Sequence, residues 1–258
     1  MAIHSTAIVD PAAHLDPSVE VGPYCVIGAA VTIGARTRLV SHLCLEGVLT
    51  IGEDNLFYPF SSIGLASQDL KYKGERAETR IGNRNKVREF VTIHRGTAGG
   101  GLVTSMGDDN LVMAYSHVAH DVKIGNHCIL VNNSTLGGHV VIEDWVEIGG
   151  LSAVHQFCRV GQHAIVGGGS IVTRDVLPYS MTVEPRDAKL IGANKVGLER
   201  RGFKPEAIDA LHKTFRLLKD KKLNTTQAME RIRGEVPGCD AVDEVLRFIG
   251  SSQRGVIK

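Results

Sequence analysis

From Met106 to Val172 an aliphatic or methionine side chain falls on every sixth residue. Val112, Val118, Ile124, Leu130, Leu136, Ile142, Ile148, Val154, Val160 and Val166 fill the places between, with none missed. A helix, at about 3.6 residues per turn, cannot follow that beat, and neither can a strand alternating with a period of about two. A short fixed period means a solenoid. Three hexads, each a short strand and a turn, close one triangular coil of 18 residues, and successive coils stack at the strand spacing of about 4.8 Å. Residues 18 apart therefore form columns. Ser116, Ser134, Ser152 and Ser170 make one, two residues before the aliphatic position, where small side chains suit a narrow interior. The beat also runs from Ile3 through Val9, Leu15, Val21, Ile27, Ile33, Leu39, Leu45, Ile51 and Phe57 to Ile63, and resumes at Ile81, Val87 and Ile93. The fold class is mainly β, a parallel β-helix of hexapeptide repeats.

Two stretches interrupt the beat, residues 65–80 and 98–105. A solenoid extrudes insertions outward, commonly on its binding face. The first sets charged and aromatic residues close together in Gln68-Asp69-Leu70-Lys71-Tyr72; the second is Gly-rich and reads equally well as a tolerated surface loop. The beat stops at Pro178, and residues 179–195 read as an irregular connector. Lys204-Pro205-Glu206 opens a helical segment with Ile208, Leu211, Phe215 and Leu218 on one face. A second helix begins near Asn224-Thr225, Val236-Pro237-Gly238 ends it, and a third carries Val242, Val245, Leu246 and Ile249. The chain thus divides into a β-helix over 1–178 and a connector with a small C-terminal α-helical domain over 179–258. The helices are expected to cap the open end of the β-helix core.

A net charge of +1 argues against nucleic acid or a membrane surface as a partner through bulk charge. No segment approaches the roughly 20 apolar residues of a membrane span, and the N-terminus lacks the basic and apolar runs of a signal peptide. Five cysteines without a CxxC pair point to buried thiols in a reducing compartment, so a cytoplasmic location is expected.

Six of the eleven histidines lie between Met106 and Leu177. His117 precedes Val118 and His155 follows Val154, so both should point outward. His120 and His139 fall at or near corners. The hexads starting at Val118, Leu136 and Val154 stack, which puts all four on one edge, with Gly138 above His120 and His139 above Asp121. A neutral imidazole oriented by a carboxylate can take a proton from a hydroxyl, and three histidines can also bind zinc. The repeat alone does not choose between them. His127 and His163 follow glycines on another edge and read as ordinary solvated turn residues. Gly149-Gly150 and Gly167-Gly168 also stack. One of each pair could serve a turn needing positive φ, and the pairs would leave a bare groove wide enough for an alkyl chain.

Five motifs in order, Gln68-Asp69-Leu70-Lys71-Tyr72, Val91-Thr92-Ile93-His94-Arg95-Gly96-Thr97, His117-Val118-Ala119-His120-Asp121, Ala153-Val154-His155-Gln156-Phe157-Cys158 and Arg200-Arg201-Gly202-Phe203, resemble the acyl-[acyl-carrier-protein]–UDP-N-acetylglucosamine O-acyltransferases that begin lipid A biosynthesis. The resemblance covers essentially the whole chain. It implies a homotrimer of left-handed β-helices with active sites between subunits. By the same resemblance, His120 removes the proton from the sugar 3-hydroxyl, which attacks the thioester of a 3-hydroxyacyl chain on acyl carrier protein. Asp121 would orient His120, and the Gly138 N–H would stabilise the oxyanion without an acyl-enzyme. Asp69 would hold the glucosamine hydroxyls, with Gln68 and Lys71 beside it. His94, His117, His139, His155 and Gln156 would line the sugar, acyl and pyrophosphate sites. Asn194, Arg200 and Arg201 would lie near the nucleotide and carrier-protein phosphates, and Gly168 would stand at the position that limits acyl length, leaving the groove open to a longer chain. No cofactor or metal is implied, since the donor's phosphopantetheine brings the thioester.

The chain departs from that pattern at Val196, where the family commonly has Glu, and over residues 184–193, which run one residue longer. Three rivals remain. The sister N-acyltransferase of the same pathway lacks the His-Arg-Gly-Thr and Arg-Arg-Gly-Phe motifs. A γ-type carbonic anhydrase holds zinc between β-helix subunits but spaces two ligands as HxxxxH, whereas His117 and His120 are closer. A non-catalytic scaffold leaves the histidine edge without a reason.

Overall fold

The computed structural model describes residues 2–183, 189–236 and 238–258. Part of the segment expected to run long, residues 184–188, therefore lies outside the described residues. Strands of mostly two residues assemble into three sheets of 11, 9 and 8 strands, parallel except at one end. Ile129–Leu130 belongs to the first face, Thr135–Leu136 to the second and Val141–Ile142 to the third. The register follows the beat: Leu111, Ile129, Glu147 and Ile165 pair in succession, as do Val118, Leu136, Val154 and Val172. In each hexad the aliphatic residue points inward, and those of the middle coils make one continuous core. The serine column is buried, and the Ser116 and Ser134 hydroxyls lie 3.1 Å apart.

Each sharp corner needs a residue in the left-handed region. Asp121 (φ 59°), His139 (62°) and Phe157 (66°) supply it on one edge; His127, Trp145 and His163 supply it on the next, and Asn133, Leu151 and Gly169 on the third. The expectation that one glycine of Gly149-Gly150 or Gly167-Gly168 takes this role is corrected, because the left-handed residue comes one position later. Gly149 is needed for another reason. A Cβ there would lie 2.6 Å from the Val166 carbonyl oxygen of the next coil.

Both insertions are shorter than the sequence indicated. Ser62–Leu65 and Glu78–Ile81 are strands bounding the first, and Val103–Met106 pairs with Glu78–Ile81, so the second ends before residue 103. Among the described residues, 179–183 and 189–195 are not an irregular connector. Ser180–Val183 continues the first face beside Ile165–Val166, and Lys189–Ala193 pairs antiparallel with it. Helix α1 (Lys195–Arg200) was not anticipated; α2 (Pro205–Leu218), α3 (Thr225–Glu235) and α4 (Asp240–Ser251) fall where the sequence put them. Asn224 caps α3 in a reciprocal capping box with Gln227. The helices share a second apolar cluster that includes Phe215, Ile232, Val245 and Phe248. The tail beyond α4 returns to the prism, where Val256 bridges Asp175 and Ile257 joins the β-helix core.

Candidate functional site

The His120 edge, between the second and third faces, is built around one imidazole. His120 Nδ1 lies 2.8 Å from Asp121 Oδ2. A carboxylate oxygen only accepts, so Nδ1 carries the proton and Nε2 is left with its lone pair. Two groups stand at that nitrogen. Asp69 Oδ2, delivered by the first insertion, is 3.9 Å away. Gly138 belongs to the coil above, and a Cβ there would lie 2.6 Å from Nε2. Glycine is thus required for the coil to close over His120, and among the described residues the Gly138 N–H makes no backbone hydrogen bond.

The remaining imidazoles pack in pairs. His139 meets His120 edge-on at 5.0 Å between ring centroids and stacks on Phe157 at 4.3 Å. His94, buried in its strand, meets His117 edge-on at 5.0 Å, and His117 Nδ1 is 2.7 Å from the Thr92 hydroxyl. Burial first, and then the neighbouring His117 and His120, push His94 down to about 4. Burial likewise lowers His117, with His120 as the second cause. His139 is lowered by burial, which the Asp121 carboxylate partly opposes. Crowding of this kind opposes protonation of His94, His117 and His139, because a proton taken up there would be poorly solvated and repelled by neighbouring imidazolium charge.

His155 is exposed at the next coil, with Nδ1 3.1 Å from the Gln156 carbonyl oxygen and 3.5 Å from the Arg254 guanidinium. Gln68 and Lys71 are exposed on the insertion, where the Lys71 N–H donates to Asp69 Oδ1 at 2.9 Å. One group of side chains among the described residues has ligand atoms close enough to hold a metal ion: His120, Asp121 and His139, within 4.8 Å of one another.

Asn194, Arg200 and Arg201 are not brought to this edge. Arg201 lies over Trp145 and Asn194 bonds the His163 carbonyl, both between the third and first faces, while Arg200 ends helix α1. Asn194 caps α1 through its carbonyl oxygen and donates its amide N–H to the His163 carbonyl at 3.0 Å, so both ends of its side chain are engaged within the fold. Arg201 sits 5.4 Å above the Trp145 ring, its Nη1 buried without a partner, while Arg200 and Val196 are exposed. His163 is no solvated turn residue. Its ring stacks with Trp145 and Tyr179, Phe203 packs on its edge, and burial lowers it to about 4. His127 stacks on Trp145 at 4.0 Å and keeps 39% of its side chain exposed. Gly168 lies toward the third edge, above Gly150, with open space beyond that coil.

Three features escaped sequence reasoning: Thr97 and Thr104 against Asp121, Thr92 against His117, and Arg254 against His155. Thr92 could have been found by carrying the register across the second insertion, since it pairs directly with His117. Arg254 is 99 residues from His155 and carries no periodic signal.

Hexapeptide coils presenting an imidazole–carboxylate pair beside an unused backbone N–H are the build of a hexapeptide transferase. A family model for bacterial transferase hexapeptides (six repeats) matches residues 104–138, and one for domain 2 of UDP-N-acetylglucosamine O-acyltransferase matches 175–257. The acyl-[acyl-carrier-protein]–UDP-N-acetylglucosamine O-acyltransferase of Myxococcus xanthus is 49% identical, with 99% of both chains covered. That of Stenotrophomonas maltophilia is 44% identical over 99% of this chain and 97% of its own. The solved UDP-N-acetylglucosamine acyltransferase of Francisella novicida superposes with a TM-score of 0.94 at 38% identity, over 99% of this chain and 93% of that one. The chain belongs to the acyl-[acyl-carrier-protein]–UDP-N-acetylglucosamine O-acyltransferase family, and it is an acyltransferase.

Proposed function

We propose that the protein transfers a 3-hydroxyacyl chain from acyl carrier protein to the 3-hydroxyl of UDP-N-acetylglucosamine, the first step of lipid A biosynthesis. The observation that carries this reading is the His120 imidazole, tied at Nδ1 by Asp121 and open at Nε2 between Asp69 and the Gly138 backbone. Nε2 takes the proton as the sugar hydroxyl attacks the thioester carbonyl. Asp121 steadies the imidazolium, and the Gly138 N–H donates to the oxyanion. Collapse of the tetrahedral intermediate expels the phosphopantetheine thiolate, which recovers the proton from His120. No acyl-enzyme forms, and the phosphopantetheine belongs to the carrier protein, so no cofactor or metal is invoked. Asp69, with Gln68 and Lys71, receives the glucosamine hydroxyls; His94, His117, His139, His155 and Gln156 line the sugar, acyl and pyrophosphate sites; the groove at Gly150 and Gly168 takes the alkyl chain.

A single chain supplies only one wall to this site, because Arg201 stands on a different edge from His120. We read the protein as a homotrimer whose subunits meet so that one molecule's Arg201 faces the next one's His120, with Asn194 holding α1 in place. The coils are taken to wind left-handed, which the overlap with solved relatives supports. The six-residue repeat is taken to end at residue 178, beyond which, among the described residues, Ser180–Val183 alone extends the first face in parallel and a second apolar cluster takes over. No described helix is long and apolar enough to cross a membrane, and five free cysteines suit a cytoplasmic location.

The test is acyl transfer from 3-hydroxyacyl carrier protein to UDP-N-acetylglucosamine, with His120→Ala alongside. Full activity in that variant removes the proposed base. The second reading, a γ-type carbonic anhydrase-like zinc hydratase, rests on the closeness of His120, Asp121 and His139. Stoichiometric zinc with carbon dioxide hydration would favour it.

A further inference from the structure

The Gly-rich excursion after Gly96 is packed directly on the carboxylate behind His120. The Thr97 N–H donates to Asp121 Oδ1 at 2.9 Å, and the Thr97 hydroxyl donates to Oδ2 at 2.6 Å, the oxygen that also accepts from His120. At the far end of the excursion, the Asp121 N–H donates to the Thr104 hydroxyl at 2.7 Å. Thr97, Thr104 and Asp121 are 5%, 1% and 3% exposed, so water does not share these bonds. The glycines make the closure possible. A Cβ on Gly100 would overlap the Asp121 carboxylate, and one on Gly96 would lie 2.9 Å from Asp121 Oδ1. The loop is also tied to the first insertion, since the Ala98 N–H donates to Glu75 Oε1 at 3.0 Å. The two insertions thus reach His120 from opposite sides, Asp69 at Nε2 and Thr97 behind Nδ1.

An aspartate that only closed a turn would need none of this. We propose that Thr97 is a positioning residue for acyl transfer: it holds the Asp121 carboxylate in one rotamer and so sets the plane and tautomer of His120. The proposal rests on the reading of His120 as the base. Were the carboxylate free to rotate, the imidazole would lose its fixed direction toward the sugar hydroxyl, and misplacement on this scale costs up to about 100-fold in rate.

The experiment compares Thr97→Val, which keeps the shape and the N–H but removes the hydroxyl, with Thr97→Ser, which restores it. Thr97→Val is expected to lower kcat by about 10- to 100-fold with KM for the sugar nucleotide little changed, and Thr97→Ser is expected to stay near wild type. The acidic limb of the kcat/KM profile should move to higher pH in Thr97→Val, because a carboxylate relieved of one donor holds the imidazolium proton more firmly. The other groups facing His120 are Asp69, His94, His117 and His139, and none of them is altered. A second readout needs no turnover: the low-field NMR resonance of the His120 Nδ1 proton should shift in Thr97→Val and be restored in Thr97→Ser. Unchanged kcat, profile and resonance in Thr97→Val overturn the proposal, as does a Thr97→Ser variant as impaired as Thr97→Val. If the wild type transfers no acyl group, the reading of the site fails instead, and the resonance still tests the clamp.

Discussion

His94 and His163 are both held near 4 by burial, although one sits beside the candidate base and the other in a ring stack on a different edge. At pH 7 both are neutral in the folded chain and mostly neutral in the unfolded one. As pH falls below about 6.5, the unfolded imidazoles bind protons first, so stability is lost between about 6.5 and 4. At pH 5 each group costs about 2 kcal/mol. His163→Phe keeps a ring in the stack but removes the titration. Its loss of unfolding free energy between pH 7 and 5, measured in urea, should therefore be smaller than that of wild type by about 2 kcal/mol. An equal loss would show that His163 protonates freely. His120 is different in kind, because its Nε2 faces space that Asp69 and Gly138 leave open. Removing it in His120→Ala should cost about 10²- to 10⁴-fold in kcat with the circular dichroism spectrum unchanged.

Each hexad of the middle coils buries its aliphatic side chain and a second side chain two residues earlier, and the contacts between coils are tight as well. Gly149 and Gly168 both belong to the stacked glycine pairs but stand one position apart in the beat, and the structure separates them. A Cβ at 149 meets the Val166 carbonyl oxygen at 2.6 Å, whereas a Cβ at 168 meets little besides the Gly150 carbonyl oxygen at 3.2 Å. Gly149→Ala should destabilise the protein by about 1–3 kcal/mol, read as a lowered urea midpoint. Gly168→Met should fold normally and shift the preferred acyl chain to a shorter length, measured with carrier-bound chains of graded length. A fully active, undisturbed Gly149→Ala would contradict the coil spacing. The insertions were legible only as breaks in rhythm. Their boundaries moved inward because the flanking strands are longer than two residues, and their ends pair with neighbouring coils. The hairpin of Ser180–Val183 and Lys189–Ala193 was missed because it has left the six-residue period.

At the scale of the whole molecule, the candidate site is divided. His120, Asp121 and Gly138 lie on one edge and Arg201 on another, and no bend of a stacked prism can bring two of its edges together. In the proposed closed ring of three chains, each His120 edge would meet the neighbour's Arg201 edge. His120→Ala and Arg201→Ala should therefore complement one another when mixed as subunits. Each variant alone is impaired, while co-folded mixtures regain activity at about a quarter of their sites. No recovery would place both residues in the same subunit's site.

The six-residue period determined the coil, the inward column, and the stacking of His120 beneath Gly138 and of Asp121 beneath His139. These follow from local repetition, in which each residue's environment is set by neighbours 6 and 18 positions away. What only the tertiary structure decided is everything that depends on chain leaving that period. Asp69 reaches His120 across the first insertion, Thr97 clasps Asp121 under the second, Arg254 returns from the tail, and His163 is buried by Phe203. The physical reason is that a repeat specifies distances along its own axis, whereas an insertion or a tail finds its place through the surface it covers.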